Sequence, residues 1–230
     1  MIREHQFNTK WWGRPVGVCF DPELLALSTA DLETALEPYD WVELRLETGS
    51  ADLGRAARRR FHLVDRQVGF RIMLKPRALS PSAGKLEVRK GREGAFDLSD
   101  AAPFMRERFS MLPGMNDELL SARYRLWAEQ LLQDSPDGAL EILMNGIPQG
   151  WFFSRIAGSG RSLDLAMSTA DAQVSGALLY ERALFELGLM GPRFGSASFS
   201  TANLPVLNIY AHLGARFTSA TDHFIWSLGG

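Results

Sequence analysis

The chain has 230 residues, 46% of them hydrophobic and 23% charged, which is ordinary globular composition with enough apolar material for a sizeable core. Its 25 basic residues against 27 acidic ones leave a net charge of −2, so no global field draws it to nucleic acid or to an anionic membrane. Cys19 is the one cysteine, which excludes an internal disulfide and a cysteine-based zinc site. The opening Met1-Ile-Arg-Glu-His-Gln6 lacks the apolar run of a signal peptide, and no stretch approaches the roughly 18 apolar residues of a membrane span. A soluble cytoplasmic protein, with neither nucleic acid nor membrane as partner, is the expectation.

Residues 16–20 read as a strand. Ser28, with Asp31 three residues on, caps a helix reaching about residue 36. Residues 41–47 alternate apolar and charged side chains, the pattern of a half-buried strand. Residues 51–64 read as a helix whose basic run, Arg55 with Arg58, Arg59 and Arg60, forms a solvated face. Residues 68–74 alternate again. The nine residues 76–84 hold two prolines, two serines and a glycine, and read as a linker. A small β-α-β-α-β segment over residues 1–84 and a second domain over 85–230 follow from that boundary.

Beyond the linker a strand begins near residue 86, and Ser99 and Asp100 cap a helix reaching residue 109. A longer helix covers 117–132, with Leu119, Leu120, Tyr124, Trp127 and Leu131 on one face. Strands at 140–144 and 149–156 flank Asn145-Gly146, a strong hairpin signal. A third strand runs over 162–169, a helix over 174–187, a strand over 193–200, a helix over 204–213 and a last strand over 222–228. Three consecutive strands followed by helix–strand alternation predict a mixed α+β fold, a mixed sheet with helices on its faces.

The most informative segment is Asn203-Leu-Pro-Val-Leu-Asn-Ile-Tyr210-Ala-His-Leu-Gly214. Asn203 suits an N-cap, Pro205 the first turn and Gly214 a left-handed C-cap. Tyr210 lies two helical turns beyond Asn203, so the amide and the phenol share nearly one face. This spacing between two strands, together with the strand order, resembles the GNAT (GCN5-related N-acetyltransferase) superfamily. A narrower resemblance, to the dTDP-fucosamine acetyltransferase group, is carried by Phe7-Asn-Thr-Lys-Trp-Trp-Gly13, by Arg106-Glu-Arg-Phe109, and by Tyr124 and Trp127.

The resemblance implies an acetyl-CoA-dependent N-acetyltransferase acting by direct transfer on a primary amine, with a nucleotide-linked amino sugar as one acceptor class. Tyr210 would then be the general acid for the departing thiolate, and Asn203 would sit by the pantetheine arm. Ala166, Met167 and Ser168 of the 162–169 strand would offer backbone groups to that arm, and Asp164 is the candidate base. The pyrophosphate would lie on Gln173, Val174, Ser175, Gly176 and Ala177, where small residues precede a helix. Gln173 and Gly176 fit the usual loop pattern, but Leu178 stands where glycine or alanine belongs. A GNAT-like protein that binds CoA weakly or not at all, and serves for binding or assembly, is the alternative. Homodimerisation is common among GNAT proteins, and a fusion of two GNAT-like halves, the first truncated, is a further arrangement.

None of the four histidines has a metal-ligand spacing, so no metal is expected. Asp222-His223 suggests a dyad, but no Gly-x-Ser-x-Gly elbow accompanies it.

Overall fold

A computed structural model describes residues 1–104, 107–191 and 194–228. The elements run β1 (Arg3–Glu4), α1 (Gln6–Trp12), β2 (Val16–Cys19), α2 (Thr29–Leu36), β3 (Trp41–Glu47), α3 (Leu53–Arg58), β4 (His62–Met73), β5 (Glu87–Lys90), α4 (Asp117–Asp134), β6 (Ala139–Met144), β7 (Ile147–Ala157), β8 (Gly160–Ser168), α5 (Gly176–Leu189), β9 (Phe194–Ser200), α6 (Leu204–His212) and β10 (Arg216–Ser227). Local chemistry sets many of these boundaries. The Ser28 hydroxyl accepts from the amide of Asp31 at 3.2 Å, and Asn116 caps α4 through the amide of Leu119 at 2.8 Å. Asn145 and Gly146 both have positive φ, 54° and 75°, the left-handed pair that turns β6 tightly into β7.

The ten strands among the described residues form one mixed sheet in the order β1-β2-β3-β10-β4-β9-β8-β7-β6-β5. Two β-α-β-α-β units are interleaved in it. In the first, β2 runs parallel to β3 and is followed through α3 by β4; in the second, β8 runs parallel to β9 and is followed through α6 by β10. Each unit's last strand crosses into the other. β10 lies antiparallel between β3 and β4, and β4 lies antiparallel between β10 and β9. The order β2-β3-β10-β4-β9-β8 therefore reads the same from either end when the units are exchanged. The boundary expected at residue 84 is crossed by this interleaving, since strands from both sides share the central sheet. Residues 76–84 carry the chain from β4 to the far edge strand β5.

The units differ where it matters. β2 pairs with β3 along its whole length, from Val16 with Trp41 to Cys19 with Leu44. β8 and β9 pair only at Arg161 with Gly195 and Ser162 with Ser196, and then part. The second unit alone has an open seam between its parallel strands.

Three expectations need correction. The helix expected over 51–64 ends at Arg58; Arg60 takes a positive φ of 61° and β4 begins at His62, because His62 and Leu63 pair with Ile225 and Phe224 of β10. Tertiary pairing overrides helical composition there. Among the described residues no helix follows Ser99 and Asp100: Ala101 bridges Thr169 in antiparallel fashion, Pro103 would break a helix in its second turn, and Arg108–Met111 form a 3-10 segment. Residue 106, within the motif quoted above, and residue 193, expected to open β9, lie outside the described residues. Finally, β3 is not half-buried. Glu43 on its charged face is fully buried beneath the 3-10 segment that carries Arg108.

Three apolar clusters hold the sheet, one of them formed by Leu24, Leu32, Leu36, Val42, Leu44, Phe61 and Phe224. On one side Trp11, Trp41, Phe109, Leu120, Tyr124, Trp151 and Phe153 pack under α1 and α4. Elsewhere Phe70, Phe152, Leu179, Ala183, Leu187 and Tyr210 pack under α5 and α6. No helix among the described residues is long and apolar enough to cross a membrane.

Candidate active site

Where β8 and β9 part, the edge of β8 is exposed. The amide of Thr169 bonds the carbonyl of Gln149 on β7, so by antiparallel alternation the main-chain groups of Ala166 and Ser168 point the other way, into the seam. Ala166 lines a cavity of about 1000 Å³ that runs from the seam across the central strands. The Ser168 carbonyl already accepts from the amide of Ala102 at 2.9 Å. Met167 does not fit its expected role. Its register with Trp151 turns its main chain to β7, and its side chain is buried in the core under α4.

Asn203 and Tyr210 do what their spacing predicts. Asn203 caps α6, its Oδ1 accepting from the amide of Val206 at 3.3 Å, and both residues line the cavity. Gly214, at φ 82°, closes the helix, and the amide of Ala215 returns to the Tyr210 carbonyl at 2.9 Å. The Tyr210 ring lies 4.0 Å from Phe70, 5.2 Å from Tyr180 and 5.8 Å from Phe199, measured between centroids. Burial, and secondarily the neighbouring Tyr180, push its phenol well above the usual tyrosine range. Such a phenol stays protonated at physiological pH, with its proton available for donation.

Residues 173–177 lie at the surface where α5 begins and do not line the cavity. Ser175 is the N-cap residue yet gives no side-chain cap, so the first amides of a 14-residue helix stay available. The turn is fixed from behind: the amide of Gln173 donates to Oε1 of the buried Gln149 at 2.7 Å. Its helix N-terminus is an electrostatically suitable place for phosphate.

The opposite end of the cavity is polar, and it is the part sequence reasoning missed. Glu43 Oε1 receives Arg108 Nε at 2.9 Å and His223 Nδ1 at 2.8 Å, while Oε2 receives Arg45 at 2.6 Å. Burial opposes charge on Glu43, but Arg108, the His223 hydrogen bond and Arg45 outweigh it and hold the carboxyl well below the usual range. An ionised carboxylate only accepts, so Nδ1 of His223 carries a proton, and in the neutral imidazole the lone pair is on Nε2. Nε2 has no hydrogen-bond partner among the described residues, and His223 lines the cavity. Asp65, beside His223 in the sheet register, accepts from Ser200 Oγ at 2.6 Å and from Gln67 at 3.2 Å. Glu107 accepts from the Tyr124 hydroxyl at 2.5 Å.

Asp164 reaches the cavity wall, but both its oxygens are engaged. Arg155 holds it from two nitrogens at 2.8 and 3.0 Å, and Ser162 Oγ donates at 2.8 Å. A substrate amine would have to displace one of these donors to reach the carboxylate. No group of three potential metal-ligating side chains occurs among the described residues.

No protein-family model matches the sequence, and no curated protein matches it. Solved structures do. A GCN5-related N-acetyltransferase from Kribbella flavida superposes with a TM-score of 0.54 at 14% identity, covering 94% of this chain and 82% of that one. A GCN5-related N-acetyltransferase from Sphaerobacter thermophilus gives 0.53 at 11% identity, covering 85% of this chain, which spans 64% of that structure's length. The chain has the GNAT fold. A conserved protein of unknown function from Staphylococcus epidermidis shares the architecture as well, at a TM-score of 0.56 and 9% identity over 93% of this chain and 84% of that one. At such identities the likeness fixes the GNAT architecture and not the chemistry. Within that architecture, the open seam, Asn203 and Tyr210 occupy one continuous cavity with a histidine–carboxylate pair that no spacing motif announces.

Proposed function

We propose that the protein is an acyl-CoA-dependent N-acyltransferase, acting by direct transfer from acetyl-CoA to a primary amine. The observation that carries this reading is a single cavity joining the β8/β9 seam and Tyr210 to the His223–Glu43 pair. The residues present suit the co-substrate. Ala166 offers free main-chain groups along the seam, Tyr180, Phe199 and Tyr210 give an apolar wall, and the uncapped start of α5 suits a pyrophosphate. Acetyl-CoA supplies the acyl group as a thioester.

The chain's own residues would then divide two proton movements. His223 accepts the acceptor ammonium's proton at Nε2, with Glu43 fixing its tautomer and stabilising the imidazolium that results. Tyr210, protonated at neutral pH, donates to the leaving sulfur and is restored by the second proton that the attacking nitrogen sheds as the amide forms. Asp164 orients Arg155 rather than moving a proton.

Calorimetric titration with acetyl-CoA tests the reading directly. Saturable binding is expected, and no heat up to millimolar acetyl-CoA would return the chain to the non-catalytic, binding-protein alternative. The base assignment has its own test. His223→Gln is expected to lower kcat by roughly 10² to 10⁴, the usual worth of a general base. Asp164→Asn should stay within a few-fold of the parent; the reverse ranking would restore Asp164 as base. A nucleotide-linked amino sugar, the acceptor class of the narrower resemblance, enters the same turnover assay as one arm.

A further inference from the structure

The cavity holds four arginines whose partners the structure describes. Arg45 and Arg108 face Glu43, and Arg155 faces Asp164. Arg123, on α4, is different. It is only 5% exposed, and no carboxylate pairs with it among the described residues. Its Nε and one terminal nitrogen, Nη2, donate to Asn8 Oδ1 of α1 at 3.3 and 3.2 Å. Nη1 has no partner among the described residues and is not sealed away from the cavity that Arg123 lines.

Five rings surround the guanidinium: Phe109 at 4.6 Å, Phe7 and Tyr124 at 5.3 Å, Trp11 at 5.5 Å and Trp127 at 5.7 Å to their centroids. Their faces compensate part of the lost hydration, and Glu107 and Glu43 act on the charge from farther off, but a buried cation with no carboxylate in direct contact remains expensive. Burial also pulls the Arg123 guanidinium below its ordinary range; the nearby Arg108 acts in the same direction, and Tyr124, Glu107 and Glu43 act against it. An anion brought by a ligand would relieve both effects.

We propose that Arg123 is the anchor for a carboxylate on the acceptor, so that the acceptor is an amino acid or a close relative bearing both a primary amine and a carboxylate. The inference rests on the acyl-transfer reading and names its substrate class. Charge balance favours a monoanion. Around this end of the cavity Arg45, Arg108 and Arg123 stand against Glu43, Glu107 and Asp65, three of each sign among the described residues. A zwitterion adds no net charge there, whereas a phosphate dianion would add two negative charges to a balanced set. Arg123 gives the carboxylate a charge-assisted donor, and Asp65 and Glu107 lie on the same cavity for the ammonium. His223 Nε2 then takes a proton from that ammonium, and the neutral amine is the nucleophile.

The test compares free amino acids with their α-carboxamides, which keep size and amine but lose the anion. With saturating acetyl-CoA and thiol release as readout, at least one free amino acid is expected to turn over, with its carboxamide roughly 100-fold worse in kcat/KM. Arg123→Met should raise the KM for that amino acid by a similar factor with the acetyl-CoA Kd unchanged, and Arg123→Lys should recover part of it. Equal use of carboxamides, preference for glucosamine or O-phosphoethanolamine, or an unchanged KM in the Met variant would overturn the proposal.

A second measurement omits CoA altogether. N-acetyl amino acids should raise the Tm of the wild-type protein and their carboxamides should not. If no N-acetyl amino acid does so, the carboxylate site is wrong whatever the transfer assay gives. If they do and acetyl-CoA fails to bind, the site stands and the acyl-transfer reading falls.

Discussion

Tyr210→Phe is expected to lower kcat by roughly 10² to 10³, the range for loss of a positioned general acid, while the acetyl-CoA Kd and the Tm stay where they were. The substitution removes one oxygen and leaves the ring that packs against Phe70, Phe199 and Tyr180. The phenol hydroxyl has no hydrogen-bond partner among the described residues, so its removal orphans no donor or acceptor of the folded chain. The effect should therefore fall on turnover alone. The phenol's raised pKa fixes the pH signature too: Tyr210 does not titrate in the working range, so the alkaline limb of a kcat profile should not belong to it. Equal kcat values in parent and variant, with acetyl-CoA bound by both, would remove Tyr210 from the chemistry.

That residue was legible in the sequence because its signal is local. Asn203, Tyr210 and Gly214 are fixed by one short helix, and a cap, two turns and a left-handed stop are decided by nearest neighbours. Most element types after the linker were legible for the same reason, since hairpin and helix periodicity need no knowledge of the rest of the chain. What failed was long-range. The stretch 51–64 has helical composition, yet its last residues are drawn into β4 by β10, more than 150 residues away. The interleaving of the two units could not be read either, because nothing in β4 or β10 alone states which half of the chain it will pair with.

The polar end of the cavity was hidden by a related ambiguity. A strand alternating apolar and charged residues normally turns its charges to water, and Glu43 and Arg45 fit that pattern. Here α1, α4 and the segment carrying Arg108 roof the charged face, so the alternation marks two buried faces, one apolar and one ionic. His223 was noticed beside Asp222, but its partner is Glu43, 180 positions distant. Asp222 instead pairs with Arg66 and Thr48 on the opposite face of β10. The sequence signal that remained was compositional: two strands, 41–47 and 222–226, each placing ionisable side chains inside an apolar run.

The buried ionic group yields the largest stability effect. Glu43→Gln keeps the volume and removes the charge that Arg108, Arg45 and His223 converge on. Arg45 is then left without its counter-ion and Arg108 keeps only Glu107, at 3.3 Å, and breaking such a buried pair costs about 3–5 kcal/mol. For a chain of this size that corresponds to a fall in Tm on the order of 10 °C. Turnover should drop as well, because the amide no longer stabilises an imidazolium at His223. The acid limb of stability carries the same information with the opposite sign of experiment. Glu43 has a folded-state pKa well below its unfolded value, so its contribution is complete above the unfolded carboxyl range and is lost as pH falls through the folded one. Asp222, held down by Arg66 and Thr48 against the cost of its burial, acts in the same direction. The parent should therefore lose stability steeply below about pH 4, near the unperturbed carboxylate range, and the Gln variant, having paid its loss already at pH 7, should lose less. Chemical denaturation at pH 7 and pH 3.5 separates the cases. Equal midpoints for parent and variant at pH 7 would mean that Arg45 and Arg108 do not depend on Glu43, and the histidine would then lack the fixed tautomer on which its proposed role as base depends.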